Sequence, residues 1–226
     1  MTMSLLNSLF PNLKGLENKH IIPIWEEENS PWSLVSETGN NNLFSQILNL
    51  NNKLGKSENI HFDNVILDET KGPIFIHNTA IIGEFVKIQG PCYIGKNVEI
   101  RHSAFLRKGN WICEGAVIGH SSEIKNSLLL PGSKAPHFNY VGDSILGFNV
   151  NIGAGVKLSN VRNDRRNILV SLRNGDKVNT KLRKFGAIIG DKSEIGCNVV
   201  MNPGSIIEAN SKISPNLSIK GWFRSK

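Results

Sequence analysis

The sequence predicts an all-β fold, a parallel β-helix, because aliphatic residues return at every sixth position. Ten of them follow this step without a break across residues 76–130. The same step resumes over 146–158 and again over 189–219. A period of six fits neither an α-helix nor a simple strand alternation, and it is typical of a solenoid built from hexapeptides.

The spacing also predicts the shape of each coil. Three hexapeptides form one triangular turn of about eighteen residues, which raises the chain by about 4.8 Å, the distance between neighbouring strands. Aliphatic side chains then stack inside as columns. Aromatic residues make up only 7% of the chain, so Ile, Val and Leu must supply most of the core.

The repeats resemble those of the left-handed, hexapeptide-repeat acyltransferases. The resemblance covers residues 74–219 and implies a left-handed parallel β-helix that associates as a homotrimer around a parallel axis. A repeat scaffold without chemistry is the alternative interpretation of the repeats alone.

Two flanking segments and two interruptions complete the predicted architecture. Residues 1–73 form an N-terminal segment, with a short helix near 42–54, that caps the open end of the β-helix and hides an edge that would otherwise pair. A loop insertion spans 131–145, and an inserted β-hairpin spans 159–187. Residues 220–226 form a C-terminal tail.

The hairpin is predicted from the stretch NILVSLRNGDKVNT, which has Asn174 and Gly175 at its turn. An Asn-Gly pair favours a tight turn between two strands. Arg162, Arg165 and Arg166 precede the hairpin. These arginines either reach phosphate groups or belong to a solvated arm that clasps a neighbouring subunit.

The charge balance predicts an anionic partner. Lys and Arg total 26 against 19 acidic residues, which gives a net charge of +7 and attracts anions. No long Lys/Arg run suggests nucleic acid, and no apolar stretch reaches the ~20 residues of a membrane span. The start of the chain lacks the pattern of a signal peptide, and the three cysteines lack zinc spacing. We therefore expect a cytoplasmic protein with no nucleic-acid or membrane partner.

Residues eighteen apart are predicted to lie one above the other. Arg107 and Lys125 have this spacing, and each directly follows an aliphatic residue of the repeat. Stacked cations repel each other. Either a bound anion compensates them, or they form a solvated surface pair.

His102 and His120 share the same spacing, with His137 beyond them. A zinc site at a trimer interface, as in the gamma-class carbonic anhydrases that share this fold, is one interpretation. The spacing differs from the pattern of that family. Surface or interface histidines are therefore favoured, and no metal is expected.

The first interruption carries the candidate catalytic groups. Leu146 lies sixteen positions after Leu130, four more than two repeats need, so the segment between them is expected to bulge outward as a loop. Loops on a rigid scaffold often hold functional residues. His137 suits general-base catalysis near neutral pH, while Tyr140 offers a hydroxyl and Asp143 a carboxylate.

The stretch SKAPHFNYVGDSILGFNVNIGAG resembles the acetyltransferase domain of the bifunctional bacterial enzymes that make UDP-N-acetylglucosamine. It is similar as well to the corresponding domain of their archaeal sugar-1-phosphate relatives. The resemblance implies an N-acetyltransferase that uses acetyl-CoA as a substrate and glucosamine-1-phosphate as the acceptor. It places the catalytic base on His137, which would deprotonate the amine of the acceptor.

The same resemblance assigns the other site residues. Asn160 joins His137 in the catalytic group and helps to position the amine and the acetyl group. The residues implied for the acceptor's phosphate and sugar, the last of them reaching into a neighbouring subunit's site, are Arg107, Lys125, Tyr140, Asn151 and Lys184. The residues implied for acetyl-CoA are Ala154, Cys197, Lys220 and Arg224. For the last two, a disordered tail is the alternative.

Two positions depart from the family pattern. Val161 follows Asn160 where the family has a tyrosine, so one aromatic contact to the sugar is missing. Cys197 stands where the bacterial enzymes have a serine near the thioester, and a thiol donates a weaker hydrogen bond than a hydroxyl.

The function therefore has a leading interpretation and two alternatives. The leading one is an acetyl-CoA-dependent N-acetyltransferase for an amino-sugar phosphate. The Gly-rich nucleotide loop of the bifunctional enzymes is absent, so no nucleotidyltransferase activity is expected, and a separately encoded nucleotidyltransferase is a candidate partner. The alternatives are an acyltransferase for a different amino sugar and a non-catalytic sugar-nucleotide-binding or assembly subunit.

Overall fold

The predicted parallel β-helix is confirmed. The computed structural model describes residues 2–26, 29–55 and 62–224. Within these ranges, short parallel strands stack into three sheets that form the sides of a prism around one aliphatic core. This core is a column of Ile, Val and Leu side chains, as the low aromatic content requires.

Helices precede the prism, and strands build it. The helices are α1 (Thr2–Leu9), α2 (Leu13–Glu17) and α3 (Leu43–Leu54), with a 3₁₀ helix at Pro31–Val35. The strands, in chain order, are β1 Ile66–Asp68, β2 Ile74–Ile76, β3 Ile81–Ile82, β4 Lys87–Gln89, β5 Cys92–Ile94, β6 Glu99–Ile100, β7 Phe105–Leu106, β8 Asn110–Ile112, β9 Val117–His120, β10 Glu123–Lys125, β11 Leu128–Leu129, β12 Lys134–His137, β13 Tyr140–Gly142, β14 Ile145–Leu146, β15 Asn151–Ile152, β16 Lys157–Leu158, β17 Leu169–Ser171, β18 Lys177–Asn179, β19 Ala187–Ile189, β20 Glu194–Ile195, β21 Val200–Met201, β22 Ser205–Ile207, β23 Lys212–Ile213, β24 Ser218–Ile219 and β25 Trp222–Phe223.

Each side of the prism is one sheet. Sheet 1 has the order β1-β4-β7-β10-β13-β16-β21-β24, and sheet 2 has the order β2-β5-β8-β11-β14-β19-β22-β25. Sheet 3 has the order β23-β20-β15-β12-β9-β6-β3. In the first coils Leu106 lies beside Ile124, and Ile94 beside Ile112. Those coils therefore have the predicted eighteen residues.

The segment 131–145 does not bulge from the prism, which corrects the loop predicted there. It contains β12, β13 and the first residue of β14, and these strands stay in register with the coils on either side. The interior residue is Leu129, which pairs with both Ile112 and Leu146, whereas Leu130 packs outside the prism. The apparent gap arose from counting Leu130 as part of the interior column.

Two shortened corners explain the change of step. In the interior column Ile124 is followed by Leu129, and Val141 by Leu146, after five residues instead of six. Ala135 and Val141 fill the interior positions between them. The coils here have seventeen residues, and both lost residues fall at the corner between sheets 1 and 2.

The N-terminal segment covers a side of the prism, which corrects the predicted cap on its open end. Leu9, Phe10 and Leu43 are buried together with outward-facing residues of sheet 2 such as Trp111 and Ile188. Since the outer face of sheet 2 is apolar, it must be covered, and burying it stabilises the prism by about 25 cal/mol for each Å² removed from water.

The open end of the prism is partly covered by other residues. Phe62 and Val65, just before β1, are partly buried against the interior column. The prism itself is longer than the predicted 74–219, because β1 precedes that range and β25 follows it. Part of the predicted tail is therefore a strand, and residues 225–226 lie outside the described residues.

The predicted helix is confirmed as α3. The side chain of Asn42 caps it by accepting a hydrogen bond from the Ser45 N–H at 2.9 Å, as N-cap residues do. Buried Asn51 donates hydrogen bonds from its side-chain amide to the carbonyl oxygens of Pro73 and Cys92, at 3.0 and 2.9 Å. These bonds fix α3 to the first two coils of sheet 2.

The inserted hairpin is confirmed, with antiparallel β17 and β18 joined at Asn174 and Gly175. Ile168 and Val170 are buried against sheet 2 in the same apolar cluster as the N-terminal segment. The insertion thus folds back onto its own prism along this face, while Arg165 and Arg166 before the hairpin are exposed. Among the described residues, no helix has the length and apolar character needed to cross a membrane.

Candidate functional site

The predicted site residues fall on two corners of the prism. The sheet 1 corner, where the chain leaves the strands of sheet 1, carries Arg107, Lys125, Asp143 and Asn160. The sheet 3 corner, where the chain leaves the strands of sheet 3, carries His102, His120, His137, Ala154 and Cys197. Tyr140 begins the strand that runs from the second corner to the first.

A buried ion pair organises the sheet 1 corner. The Lys125 Nζ lies 2.7 and 2.9 Å from the two carboxylate oxygens of Asp143. Lys125 is 6% exposed and Asp143 is fully buried. The side-chain amides of Asn126 and Asn160 also donate to this carboxylate. Buried charges require such compensation, because an unpaired ion in the interior costs several kcal/mol.

The stacked cations of this corner are balanced within the chain. Arg107 and Lys125 are stacked as predicted, since Leu106 pairs with Ile124. Arg107 donates to a carboxylate oxygen of Glu123 at 3.1 Å. Mutual repulsion of the two cations is therefore no argument for a bound anion, which corrects that step of the sequence argument.

Tyr140 lies across the outer face of sheet 1 toward the same corner. Its hydroxyl is hydrogen-bonded to Asn160, and burial, followed by the charges of Asp143 and Glu123, raises its pKa above the ordinary value. Gly142 makes room for this arrangement. A Cβ added there would lie 2.6 Å from the Tyr140 Oη and 2.8 Å from the Asn160 Nδ2.

We expect Gly142→Ala to weaken acceptor binding while the prism stays folded. The added methyl group would push the Tyr140 hydroxyl and the Asn160 amide apart, and the loss of one such hydrogen bond would raise the KM for the acceptor about fivefold to tenfold. Steady-state kinetics and a thermal melt would measure this. Gly15→Ala is the matched control, since a Cβ at Gly15 meets nothing within 4 Å. An unchanged KM in the Gly142 variant would contradict the role given to this corner.

His137 stands exposed at the end of β12. Its backbone N–H donates to the side-chain oxygen of Asn139 at 3.0 Å. The side-chain amide of buried Asn139 in turn donates to the Gly153 carbonyl at 2.7 Å, and its backbone N–H donates to the Ser122 hydroxyl at 3.0 Å. Asn139 thus fixes the backbone that presents His137.

Sequence reasoning missed Asn139 as a positioning residue. The signal was available in its residue type, because an asparagine side chain that bonds to a backbone group two residues away is typical of a tight turn. No pattern in the sequence indicated which residue would anchor that turn to the neighbouring coil.

The histidines of the sheet 3 corner line up as the spacing predicted. The rings of His102 and His120 stack with centroids 4.7 Å apart, and His137 is in register with His120. Together with Ile81 and Gly83 they line an open groove of about 460 Å³. Within the described residues, no group of three His, Cys, Asp or Glu side chains is arranged to hold a metal ion.

Lys184 joins the sheet 1 corner through a residue that sequence reasoning missed. Its Nζ donates to a carboxylate oxygen of Glu37 at 2.9 Å, and the Lys125 Nζ lies 4.0 Å from the same oxygen. The bond from Lys184 lowers the pKa of the Glu37 carboxyl. No sequence pattern indicates that a glutamate in the N-terminal segment reaches this corner, because the contact depends on how that segment crosses sheet 2.

The structure separates the other predicted residues. Ala154 and Cys197 lie near His137 on successive coils of the sheet 3 corner, and Cys197 is exposed. Asn151 begins β15 on the outer face of sheet 3 and donates to Glu194 at 3.1 Å. Lys220 follows β24, two strands beyond the strand that precedes Asn160 in sheet 1.

Arg224 lies elsewhere, after β25 of sheet 2. Its guanidinium is 3.3 Å from a carboxylate oxygen of Glu208, whose other oxygen accepts a hydrogen bond from the Trp222 indole at 2.7 Å. Within one subunit, the sheet 1 corner therefore brings together Arg107, Lys125, Tyr140, Asn160 and Lys184. The sheet 3 corner brings together His137, Ala154 and Cys197.

Comparison with known proteins identifies relatives of the whole prism. Residues 88–182 match the family described as the GMPPB C-terminal domain. The bifunctional sugar-1-phosphate nucleotidylyltransferase/acetyltransferase of Sulfurisphaera tokodaii is 37% identical over 194 residues, which cover 84% of this chain and 45% of that protein. The bifunctional protein GlmU of Methanococcus aeolicus is 32% identical over 209 residues, covering 92% of this chain and 47% of that protein. The chain spans about half the length of these two relatives.

A third relative is similar to this chain in extent. The putative uncharacterized acetyltransferase YaiX of Escherichia coli is 35% identical over 181 residues, which cover 79% of this chain and 78% of that protein. With a prism of hexapeptide coils and relatives of this kind, the chain belongs to the left-handed β-helix, hexapeptide-repeat family of acyltransferases.

Proposed function

We propose that this protein is an N-acyltransferase that transfers an acetyl group from acetyl-CoA to the amine of an amino-sugar phosphate. Glucosamine-1-phosphate is the acceptor that we favour, which would place the protein in the synthesis of UDP-N-acetylglucosamine. The name of the Sulfurisphaera tokodaii relative, a bifunctional sugar-1-phosphate nucleotidylyltransferase/acetyltransferase, supports this choice.

The observation that carries the proposal is the arrangement along a single coil. Strand β13, which begins at Tyr140, connects the two corners. His137 stands at the corner before it, and the corner after it holds the cations of Lys125 and Arg107. A base at one end and cations at the other suit a substrate with an amine at one position and a phosphate at another. Arginine and lysine are the usual partners of phosphate oxygens.

The proposed reaction is a direct transfer without an acyl-enzyme. The acceptor's amine nitrogen attacks the thioester carbonyl carbon, and the imidazole of His137 takes the proton that the nitrogen loses. The new C–N bond forms as the C–S bond breaks, and the CoA thiolate leaves and is protonated. A backbone amide near Ala154 or Cys197 would stabilise the developing oxyanion.

The remaining predicted residues are proposed to bind the two substrates. Asn160 and Asn151 would position the amine and the acetyl group, while Lys220 and Arg224 would contact the anionic part of CoA. Since the two corners lie at opposite edges of sheet 1, we propose that the protein acts as a homotrimer. Lys184 lies beside Lys125 of its own subunit and would act there instead of in a neighbour's site. Holding both substrates in line in the trimer would supply much of the rate.

Thiol release from acetyl-CoA tests this function. We expect release that depends on glucosamine-1-phosphate and yields an N-acetylated product detectable by mass spectrometry. Parallel reactions with glucosamine, and with no acceptor, act as controls. Release that is equally fast with unphosphorylated glucosamine would contradict a phosphate acceptor, and no acceptor-dependent release from a folded protein would contradict the acyltransferase.

A non-catalytic sugar-nucleotide-binding or assembly subunit is the second candidate. The observation that favours it is that the cations of the sheet 1 corner already have carboxylate partners in the chain, at Asp143, Glu123 and Glu37. This candidate predicts that the same acceptor binds in calorimetry without any acetyl transfer.

A further inference from the structure

The carboxylate of Glu37 lies at the place where the proposed function requires a phosphate. It contacts Lys184 at 2.9 Å and lies 4.0 Å from the buried ammonium of Lys125. The charge of Lys108 also acts on it.

The segment that carries Glu37 is held at both ends. We call residues 36–42 the strap. Before it, the 3₁₀ helix ends at buried Val35, whose carbonyl accepts a hydrogen bond from the Asn126 amide at 2.8 Å. After it, α3 begins at its cap Asn42. Between these anchors the Glu37 side chain is 58% exposed, so its own packing does not hold it in place.

The chemistry of the corner allows one anion to exchange for another. The hydrogen bond from Lys184 lowers the pKa of Glu37, so this carboxyl is ionised at neutral pH. Carboxylate and phosphate oxygens accept the same charge-assisted hydrogen bonds from an ammonium group. A cavity of about 370 Å³, lined by Glu37, Lys108, Lys125 and Asn126 among others, opens beside this contact.

We infer that Glu37 holds the place of the acceptor's phosphate in the free protein, and that the acceptor binds by displacing it. The inference rests on the proposed function, because it names the anion that replaces the carboxylate. Glu37 is then a specificity-determining residue. A phosphate dianion attracts the lysines strongly enough to replace Glu37, whereas a monoanion or a neutral sugar does not.

Calorimetric measurement of inorganic phosphate binding tests the displacement of Glu37 directly. Glu37→Gln removes the competing charge and keeps the shape of the side chain. Because Glu37 and Lys184 are partly exposed and screened by water, we expect phosphate to bind about tenfold more tightly to this variant. Glu99→Gln is the matched control. Glu99 pairs with Arg101 at 2.8 Å on a different sheet, and its replacement should leave phosphate binding unchanged.

Amide hydrogen exchange of the strap gives a second readout. Phosphate should speed exchange of residues 36–42 in the natural protein, because the carboxylate is released, and should have little effect in Glu37→Gln. Equal phosphate affinity in the two proteins, or a strap whose exchange does not respond to bound phosphate, would overturn the inference.

The two proposals can fail separately. Tighter phosphate binding by Glu37→Gln without any acetyl transfer would support the role of Glu37 and refute the acyltransferase. Acceptor-dependent acetyl transfer with unchanged phosphate affinity in the variant would support the acyltransferase and refute the role of Glu37.

Discussion

The His137→Ala protein is expected to lose acetyl transfer by a factor of about 10² to 10⁴, the usual contribution of a general base. Since the side chain of His137 is exposed, the loss should occur without unfolding.

Steady-state kinetics with both substrates would measure this loss. The effect should fall on kcat, with the KM for the acceptor nearly unchanged, because the base acts in the transition state. Added imidazole should restore part of the activity of the variant. His77→Ala, which changes a histidine three coils away that bonds to Thr79, provides the control. If the His137→Ala protein is as active as the natural one, His137 is not the general base.

Breaking the buried ion pair should have the largest effect on stability. Lys125→Met leaves the carboxylate of Asp143 buried with only amide donors, and the loss of one partner of a buried pair costs about 3–5 kcal/mol. Urea unfolding of the variant and the natural protein would measure the difference in the free energy of unfolding.

A double variant separates this effect from a simple loss of packing. In Lys125→Met/Asp143→Asn no charge is left unpaired, and asparagine tolerates the left-handed φ of 48° at this position. We expect the double variant to recover much of the lost stability. Equal unfolding free energies for the single and the double variants would show that the uncompensated charge was not the cause.

The periodic part of the fold could be predicted because every coil repeats the same physical requirement. An interior position at each sixth residue must be apolar, and the columns from Ile76 to Ile124 record this without exception. The shortened corners could not be predicted in the same way. Leu128, Leu129 and Leu130 are adjacent and equally apolar, so the pattern does not say which of them faces inward.

The covering of the apolar outer face of sheet 2 is a second feature that the repeat did not predict. Tyr93, Trp111 and Ile188 face outward from sheet 2 and are covered by the N-terminal segment and the hairpin. The hexapeptide spacing identifies only the interior column, so it does not predict that one side of the prism is covered by other segments. The predicted end cap was therefore wrong, although the helix within it was placed correctly.

The candidate site was predictable where its residues share the repeat. Arg107 and Lys125 were found by their spacing, and His137 and Tyr140 by the resemblance of one stretch. Glu37 belongs to a segment whose position depends on packing across many coils, so nothing in its local sequence connects it with Lys184.

The way the N-terminal segment crosses sheet 2 has a consequence for how this protein can change over generations. Coils of a solenoid contact only their neighbours, so repeats are readily gained or lost. Here Asn51 binds the first two coils, while the Leu9 carbonyl accepts a hydrogen bond from Asp191 beyond the sixth strand of sheet 2. One additional coil between these points would lengthen the prism by about 4.8 Å and leave the segment too short to reach both. The number of coils is thus fixed by a segment that belongs to none of them.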